Sequence, residues 1–227
     1  MKIIDTPYNT SSRLSCLGAA DVHTIIRYYN FSNSRNLPDK RLTLAEAQAI
    51  SAQGMQIAVV FQQRQNQLAD FSRCKGLAAG RRAFRYAQDD INQPAHSAIY
   101  FAVDFDASSS ELENNIAPYF AGVKQAFTEQ CNDTAQYRIG AYGSGLVCET
   151  LLEQGLSDLT WLSMSTGYRG TREALAAGKY NLAQQPPSTQ LCGIGVDYNN
   201  PNPQNPDFGA FTVEDDALPD GFTTIND

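Results

Sequence analysis

The chain has 227 residues, 42% of them apolar and 18% charged, a composition that excludes a disordered protein and leaves room for one large core or two small ones. Its formal charge of −7 is uneven: residues 199–227 hold six acids (Asp207, Glu214, Asp215, Asp216, Asp220, Asp227) and no base, whereas residues 1–198 set 17 bases against 18 acids. A near-neutral body has no basic stripe for a phosphate backbone, and apolar runs such as residues 57–61 fall far short of the roughly 20 residues a membrane span needs, so neither nucleic acid nor a membrane is expected as a partner.

The chain opens on a strand, residues 2–5, that reaches Asp5 with no apolar segment of the signal-peptide kind. A second strand, 24–29, precedes Thr43-Leu44-Ala45-Glu46, which reads as a capping box for a helix ending near Gln53, with Gly54 as its stop. Strand 56–61, a helix over about 76–91 and strand 98–104 follow. Ser110-Glu111-Leu112-Glu113 opens a helix to about Gln130; strand 138–142, helix 145–154, strand 159–164 and helix 171–177 come next. Strands 181–184 and 194–197 complete the set. Eight strand runs separated mostly by helix signals predict a parallel sheet, and eight is the number that closes a TIM-type (β/α)8 barrel. An open doubly wound sheet fits the same alternation. The barrel is expected over residues 1–198. Residues 199–227, with Pro201, Pro203, Pro206 and Pro219, read as an irregular acidic tail standing in for the last helix, packed on the barrel or loosely attached to it.

In such a barrel the chemistry belongs at the C-terminal strand ends. Along 98–106 the odd positions Ile99, Phe101, Val103 and Phe105 are all large and apolar, so Tyr100, Ala102, Asp104 and Asp106 are expected to face inward. Two carboxylates two residues apart repel, which raises one pKa and supplies a proton donor. Asp106 is the expected acid and Asp104 its partner, with Asp5 and Asp197 arriving at the same rim from the first and last strands. Arg27, Tyr29, Tyr142, Gln184 and Tyr198 are the expected substrate-binding groups. Arg27 needs a partner inside its strand, Asp5 or Asp197 by position, and Trp161 reads as core.

His23 and His96 precede strands, so a Ser-His-Asp triad or a histidine zinc site lacks its imidazole; no metal and no cofactor are expected. Gly143-Ser144-Gly145 offers a weak anion-binding turn, which leaves open an enzyme acting on a phosphorylated small molecule. The five cysteines (Cys16, Cys74, Cys131, Cys148, Cys192) are odd in number and never in a C-x-x-C pair. They read as idle thiols, a disulfide being open to the chain only after export.

The ordered set Ile25-Ile26-Arg27-Tyr28-Tyr29, Leu44-Ala45-Glu46-Ala47, Ile99-Tyr100-Phe101-Ala102-Val103-Asp104-Phe105-Asp106, Tyr119-Phe120-Ala121-Gly122, Ile139-Gly140-Ala141-Tyr142-Gly143-Ser144, Trp161-Leu162-Ser163 and Gly195-Val196-Asp197-Tyr198-Asn199 resembles a bacterial glycoside-hydrolase-like family, domain of unknown function 1906. That family is similar to the family 25 glycoside hydrolases, lysozymes that cut the β-1,4 bond between N-acetylmuramic acid and N-acetylglucosamine. The resemblance implies a cell-wall glycosidase with Asp5, Asp104, Asp106 and Asp197 in the carboxylate roles. Asp106 stands where those lysozymes carry a Glu, one methylene longer. A glycan-binding barrel without chemistry is the alternative. The expected substrate is peptidoglycan or a related N-acetylated glycan. The expected location is the periplasm or wall after export by a non-Sec route, with an immunity protein or secretion component as further partners.

Overall fold

Runs rich in Val, Ile, Tyr and Phe pack well on a half-buried pleat, and in a computed structural model describing residues 1–131 and 136–214 eight of them close into one barrel in chain order. They are β1 (Lys2–Asp5), β2 (Val22–Tyr29), β3 (Gln56–Phe61), β4 (Ala98–Ala102), β5 (Arg138–Gly143), β6 (Leu159–Leu162), β7 (Leu182–Leu191) and β8 (Ile194–Pro201). Around them lie α1 (Leu14–Ala19), α2 (Leu44–Ala52), α3 (Arg73–Arg85), α4 (Ser109–Glu111), α5 (Ala117–Gln130), α6 (Gly145–Glu153) and α7 (Thr171–Ala177). A π turn, Leu112–Ile116, joins α4 to α5. The capping box of that helix is Ser108 with Glu111, two residues before the expected Ser110.

Neighbours from β1–β2 through β6–β7 are parallel. The expectation of an all-parallel sheet fails at the end: β8 runs antiparallel to both β7 and β1. The connection decides this. A parallel return needs a crossover of a dozen or more residues, and only Cys192 and Gly193 lie between β7 and β8. Both have positive φ, 52° and 79°, the signature of a two-residue hairpin turn. The hairpin is longer than its expected strands, so its outer part, Thr189–Leu191 paired with Ile194–Val196, overhangs the mouth.

Strand residues alternate between two packed layers. Ile3, Ile26, Val60, Tyr100, Ala102 and Trp161 fill the barrel, and Ile25, Val59, Phe61, Ile99, Phe101 and Ile139 meet the helices. Gly140 makes room inside: a Cβ there would lie 2.3 Å from the Tyr100 ring. The Tyr100 hydroxyl donates to the Phe208 carbonyl at 3.0 Å, and Phe208 packs among the inward residues. The described part of the tail therefore lies across the N-terminal end of the barrel, where Phe211 and Ile57 exchange backbone hydrogen bonds of 2.7 and 2.8 Å. Asp207 pairs with Arg138. Asp215, Asp216, Pro219, Asp220 and Asp227 lie outside the described residues. No helix among the described residues is long and apolar enough to cross a membrane.

Cys16 and Cys192 form a disulfide, with Cα atoms 6.0 Å apart, that ties α1 to the β7–β8 turn. This corrects the reading of all five cysteines as idle thiols: sequence separation hid a pair that barrel closure brings together. Cys74, Cys131 and Cys148 are in no disulfide. Thiol titration of denatured, unreduced protein is expected to count three thiols, and five after reduction; five without reductant would rule the bridge out.

Candidate active site

At the C-terminal ends of the parallel strands lies a pocket of about 310 Å3. Strand alternation delivers its walls. Tyr28 follows Ile26 on β2, Tyr142 follows Gly140 on β5, Gln184 follows Leu182 on β7, and Asp104 continues the inward side of β4; all line the pocket with Gln62, Trp161, Met164, Ser165, Ser188 and Asp197. Asp197 arrives by a route the sequence did not suggest. Because β8 is antiparallel, its C-terminal end points away from the mouth, and Asp197 reaches the site from mid-strand, opposite Asp5.

One amide organises the two carboxylates. Gln184 Nε2 donates to Asp5 Oδ2 at 3.0 Å and to Asp197 Oδ2 at 3.1 Å, while Gln184 Oε1 accepts from the Tyr142 hydroxyl at 2.8 Å. Asn199 Nδ2 donates to Asp5 Oδ2 at 2.8 Å and its Oδ1 accepts from Trp161 Nε1 at 2.8 Å. Asp197 Oδ1 is buried and accepts no hydrogen bond from the described residues. Across the pocket, Asp104 Oδ2 accepts from Gln62 Nε2 at 3.2 Å, and Gln62 Oε1 accepts from Lys40 Nζ at 3.0 Å. Lys40 also sits 4.4 Å from the centre of the Tyr28 ring.

Burial raises the Asp5 carboxyl to a pKa of about 7, assisted by the Asp197 charge and opposed by hydrogen bonds from Asn199, Gln184 and Tyr28. Burial likewise pushes Asp104 upward, against the Gln62 hydrogen bond and the Lys40 charge. Lys40 falls to about 8, chiefly through burial. Both shifts run toward the protonated form, the direction a proton-donating site requires. The Asp5 shift also sets a stability dependence. Between the ordinary carboxylate pKa and about 7, the folded state holds a proton that the unfolded state has released, so stability falls as pH rises through that window. Asp5→Asn removes the ionisation and can keep the Gln184 and Asn199 bonds through its amide oxygen. The variant is expected to melt higher than wild type at about pH 8 and to lose that advantage near pH 4. A melting difference independent of pH would refute the shift.

Several expected site residues lie elsewhere. Arg27 and Tyr29 are on the odd side of β2, which faces the helices. Arg27 pairs with Glu46 at 2.9 Å, not with Asp5 or Asp197, and the Tyr29 hydroxyl donates to Gln93 Oε1 at 2.8 Å beneath that layer. Tyr198, between inward Asp197 and Asn199, packs against the outer core. Asp106 does not line the pocket. Strand β4 ends at Ala102, so inward alternation lapses before Asp106, whose carboxylate accepts from Arg169 N at 2.8 Å and Arg169 Nη1 at 2.9 Å. At the Gly143-Ser144-Gly145 turn the amides of Gly145, Leu146 and Val147 are committed within the protein. Ser144 Oγ caps Val147 N, Gly145 N donates to Thr171 Oγ1, and Leu146 N donates to the Arg169 carbonyl. Among the described residues no group of three His, Cys, Asp or Glu is placed to hold a metal. The sequence reading missed Tyr28 and Lys40. The register Tyr28–Val60–Tyr100 carries the parity of β4 over to β2 and marks Tyr28 as inward; Lys40 comes from a loop with no periodicity to read.

A family model described as an Rv2525c-like, glycoside hydrolase-like domain matches residues 15–194, a span that contains Asp104 and lies between Asp5 and Asp197. The uncharacterized Bacillus subtilis proteins YbfG and FadG are 33% and 29% identical to this chain over 166 and 162 residues, 71% of it in each case. The chain spans about a quarter of the length of these relatives, 22% and 27%. The Mycobacterium tuberculosis Tat-secreted protein Rv2525c, crystallised with L-tartrate, superposes with a TM-score of 0.75 at 22% identity, over 92% of this chain and 98% of its own. The Clostridium perfringens spore cortex lytic enzyme SleM superposes with a TM-score of 0.53 at 14% identity, over 88% of this chain and 68% of its own. Both structural likenesses are likenesses of fold.

Proposed function

The chain belongs to the Rv2525c-like, glycoside hydrolase-like domain family, and from that premise we propose that it hydrolyses the β-1,4 glycan bond of peptidoglycan or a closely related N-acetylated glycan. The observation that carries the reading is the convergence of Asp5, Asp104 and Asp197 from separate strands beside one pocket walled by Tyr28, Tyr142 and Trp161. Aromatic faces stack on sugar rings, and carboxyl groups on opposing walls meet the two needs of glycoside cleavage, a proton for the leaving oxygen and a negative group across from it. Asp104, raised by burial and open to the pocket, protonates the leaving oxygen. Asp197, which lines the same pocket, faces the anomeric carbon or the attacking water. Asp5 stays protonated up to about neutral pH and fixes Asp197 through Gln184.

The Cys16–Cys192 disulfide suits an oxidising compartment, which supports action at the periplasm or wall; the fold neighbour Rv2525c is itself Tat-secreted. The test is digestion of purified sacculi by the full chain, read by mass spectrometry of the released muropeptides and by reducing-end assay. Sugar-terminated fragments with new reducing ends are the expected result. Sacculi that bind the protein and stay intact would replace the hydrolase with a glycan-binding barrel.

A further inference from the structure

The mouth of the barrel continues sideways past Asp197. A second hollow of about 310 Å3 lies between the loop after β1 and the overhanging β7–β8 hairpin, and it adjoins the first pocket, with Ser188 and Asp197 lining both. Tyr8 stands in it with 45% of its surface exposed, one of few large hydrophobic side chains left so open among the described residues. The opposite wall is Gln190, and Gly195 is the floor. A Cβ on Gly195 would sit 3.6 Å from Tyr8 Cε2 and 3.5 Å from Gln190 Nε2, so the bare backbone keeps the floor low between the two walls. The walls are tied together: Thr6 Oγ1 donates to the Gly195 carbonyl at 2.7 Å, and the Cys16–Cys192 disulfide joins α1, just beyond the Tyr8 loop, to the hairpin turn. An exposed aromatic face across from an amide side chain is the combination that holds a pyranose, apolar on its faces and hydroxylated at its rim.

We propose that Tyr8, Gly195 and Gln190 form a second saccharide subsite adjoining Asp197, so that the site takes a glycan chain of several rings and not a single sugar. This rests on the glycan reading above and adds to it the direction in which the chain leaves the catalytic pocket.

The test is calorimetric titration of chitobiose and chitopentaose into the full chain and into Tyr8→Ala and Gly195→Val, with folding of each variant confirmed by circular dichroism. Gly195→Val meets only ordinary van der Waals neighbours at its Cβ and fills the floor while leaving Tyr8 itself unaltered. Wild type is expected to bind the five-ring probe about tenfold more tightly than the two-ring probe, and both variants to lose that gain, the usual size of losing one aromatic anchor. Tyr8→Trp is expected to keep it. Variants that retain the full length dependence overturn the subsite and leave the glycan reading standing. If wild type binds neither probe and leaves sacculi uncut, the glycan reading itself falls and the subsite falls with it.

Discussion

Glu46→Ala is expected to lower the melting temperature by roughly 10–15 °C, because it leaves a buried guanidinium without its counter-charge, a loss of about 3–5 kcal/mol in a domain of this size. Arg27 and Glu46 are both fully buried in the layer between β2 and α2. Glu46 Oε1 accepts from Arg27 Nε, Thr10 N and Thr10 Oγ1 at 2.7–2.9 Å, and Oε2 accepts from Asn9 Nδ2 and Arg27 Nη2 at 3.1 Å. Arg27 also donates to the carbonyls of Thr6 and Asp39 at 2.7 and 2.8 Å. The pair therefore ties down the loop after β1 and the loop after β2, which carry Tyr8 and Lys40. Removing one member strands the other in a medium that solvates it poorly. Replacing both at once by Met and Leu, which pack without charge, is expected to recover most of the loss. Thermal unfolding followed by circular dichroism decides it: a drop of less than about 2 °C for Glu46→Ala would mean that water reaches Arg27 and the hub is not sealed.

The same residue shows how far sequence reasoning carries. Thr43-Leu44-Ala45-Glu46 does cap α2, with Thr43 Oγ1 accepting from Glu46 N at 3.3 Å, yet the second half of the box is missing because the Glu46 carboxylate is committed to Arg27. A local motif located the helix, and a partner 19 residues away took its side chain. The strand count and the parity of β4 were legible because Ile99, Phe101 and Val103 alternate with smaller or polar residues. On β2 each face mixes apolar with polar or aromatic residues, Thr24, Ile26 and Tyr28 on one and Ile25, Arg27 and Tyr29 on the other, so periodicity does not separate Arg27 and Tyr29 from Tyr28. The direction of β8 was readable in principle. Cys192-Gly193 leaves no room for a crossover, but Pro186-Pro187 and the polar Ser188–Gln190 give the outer half of β7 no alternating strand pattern, which hides the two-residue turn. The disulfide and the Lys40–Gln62–Asp104 chain depend on closure of the whole barrel and have no local signature.

Asp104→Asn is expected to reduce cleavage of sacculi by about 10²–10⁴-fold, the usual contribution of a general acid, with little change in glycan affinity. Asparagine has the size of aspartate and can still accept the Gln62 hydrogen bond through its amide oxygen, so the loss falls on the proton and not on the pocket. The chemistry supplies an internal control. A leaving group of low basicity departs without protonation, so an activated aryl glycoside of an N-acetylated sugar is expected to lose far less rate than sacculi do. Asp106→Asn, by contrast, breaks a half-exposed ion pair with Arg169 whose contribution is about 0–1 kcal/mol, and should leave cleavage within a few-fold of wild type. The two variants separate the assignments: if Asp106→Asn abolishes cleavage and spares the aryl substrate while Asp104→Asn does neither, Asp106 must leave Arg169 and turn into the cleft when substrate binds, and the acid is the later of the two aspartates. If both variants lose sacculi and aryl glycoside alike, the loss does not follow leaving-group basicity, and neither aspartate acts as the proton donor to the leaving group.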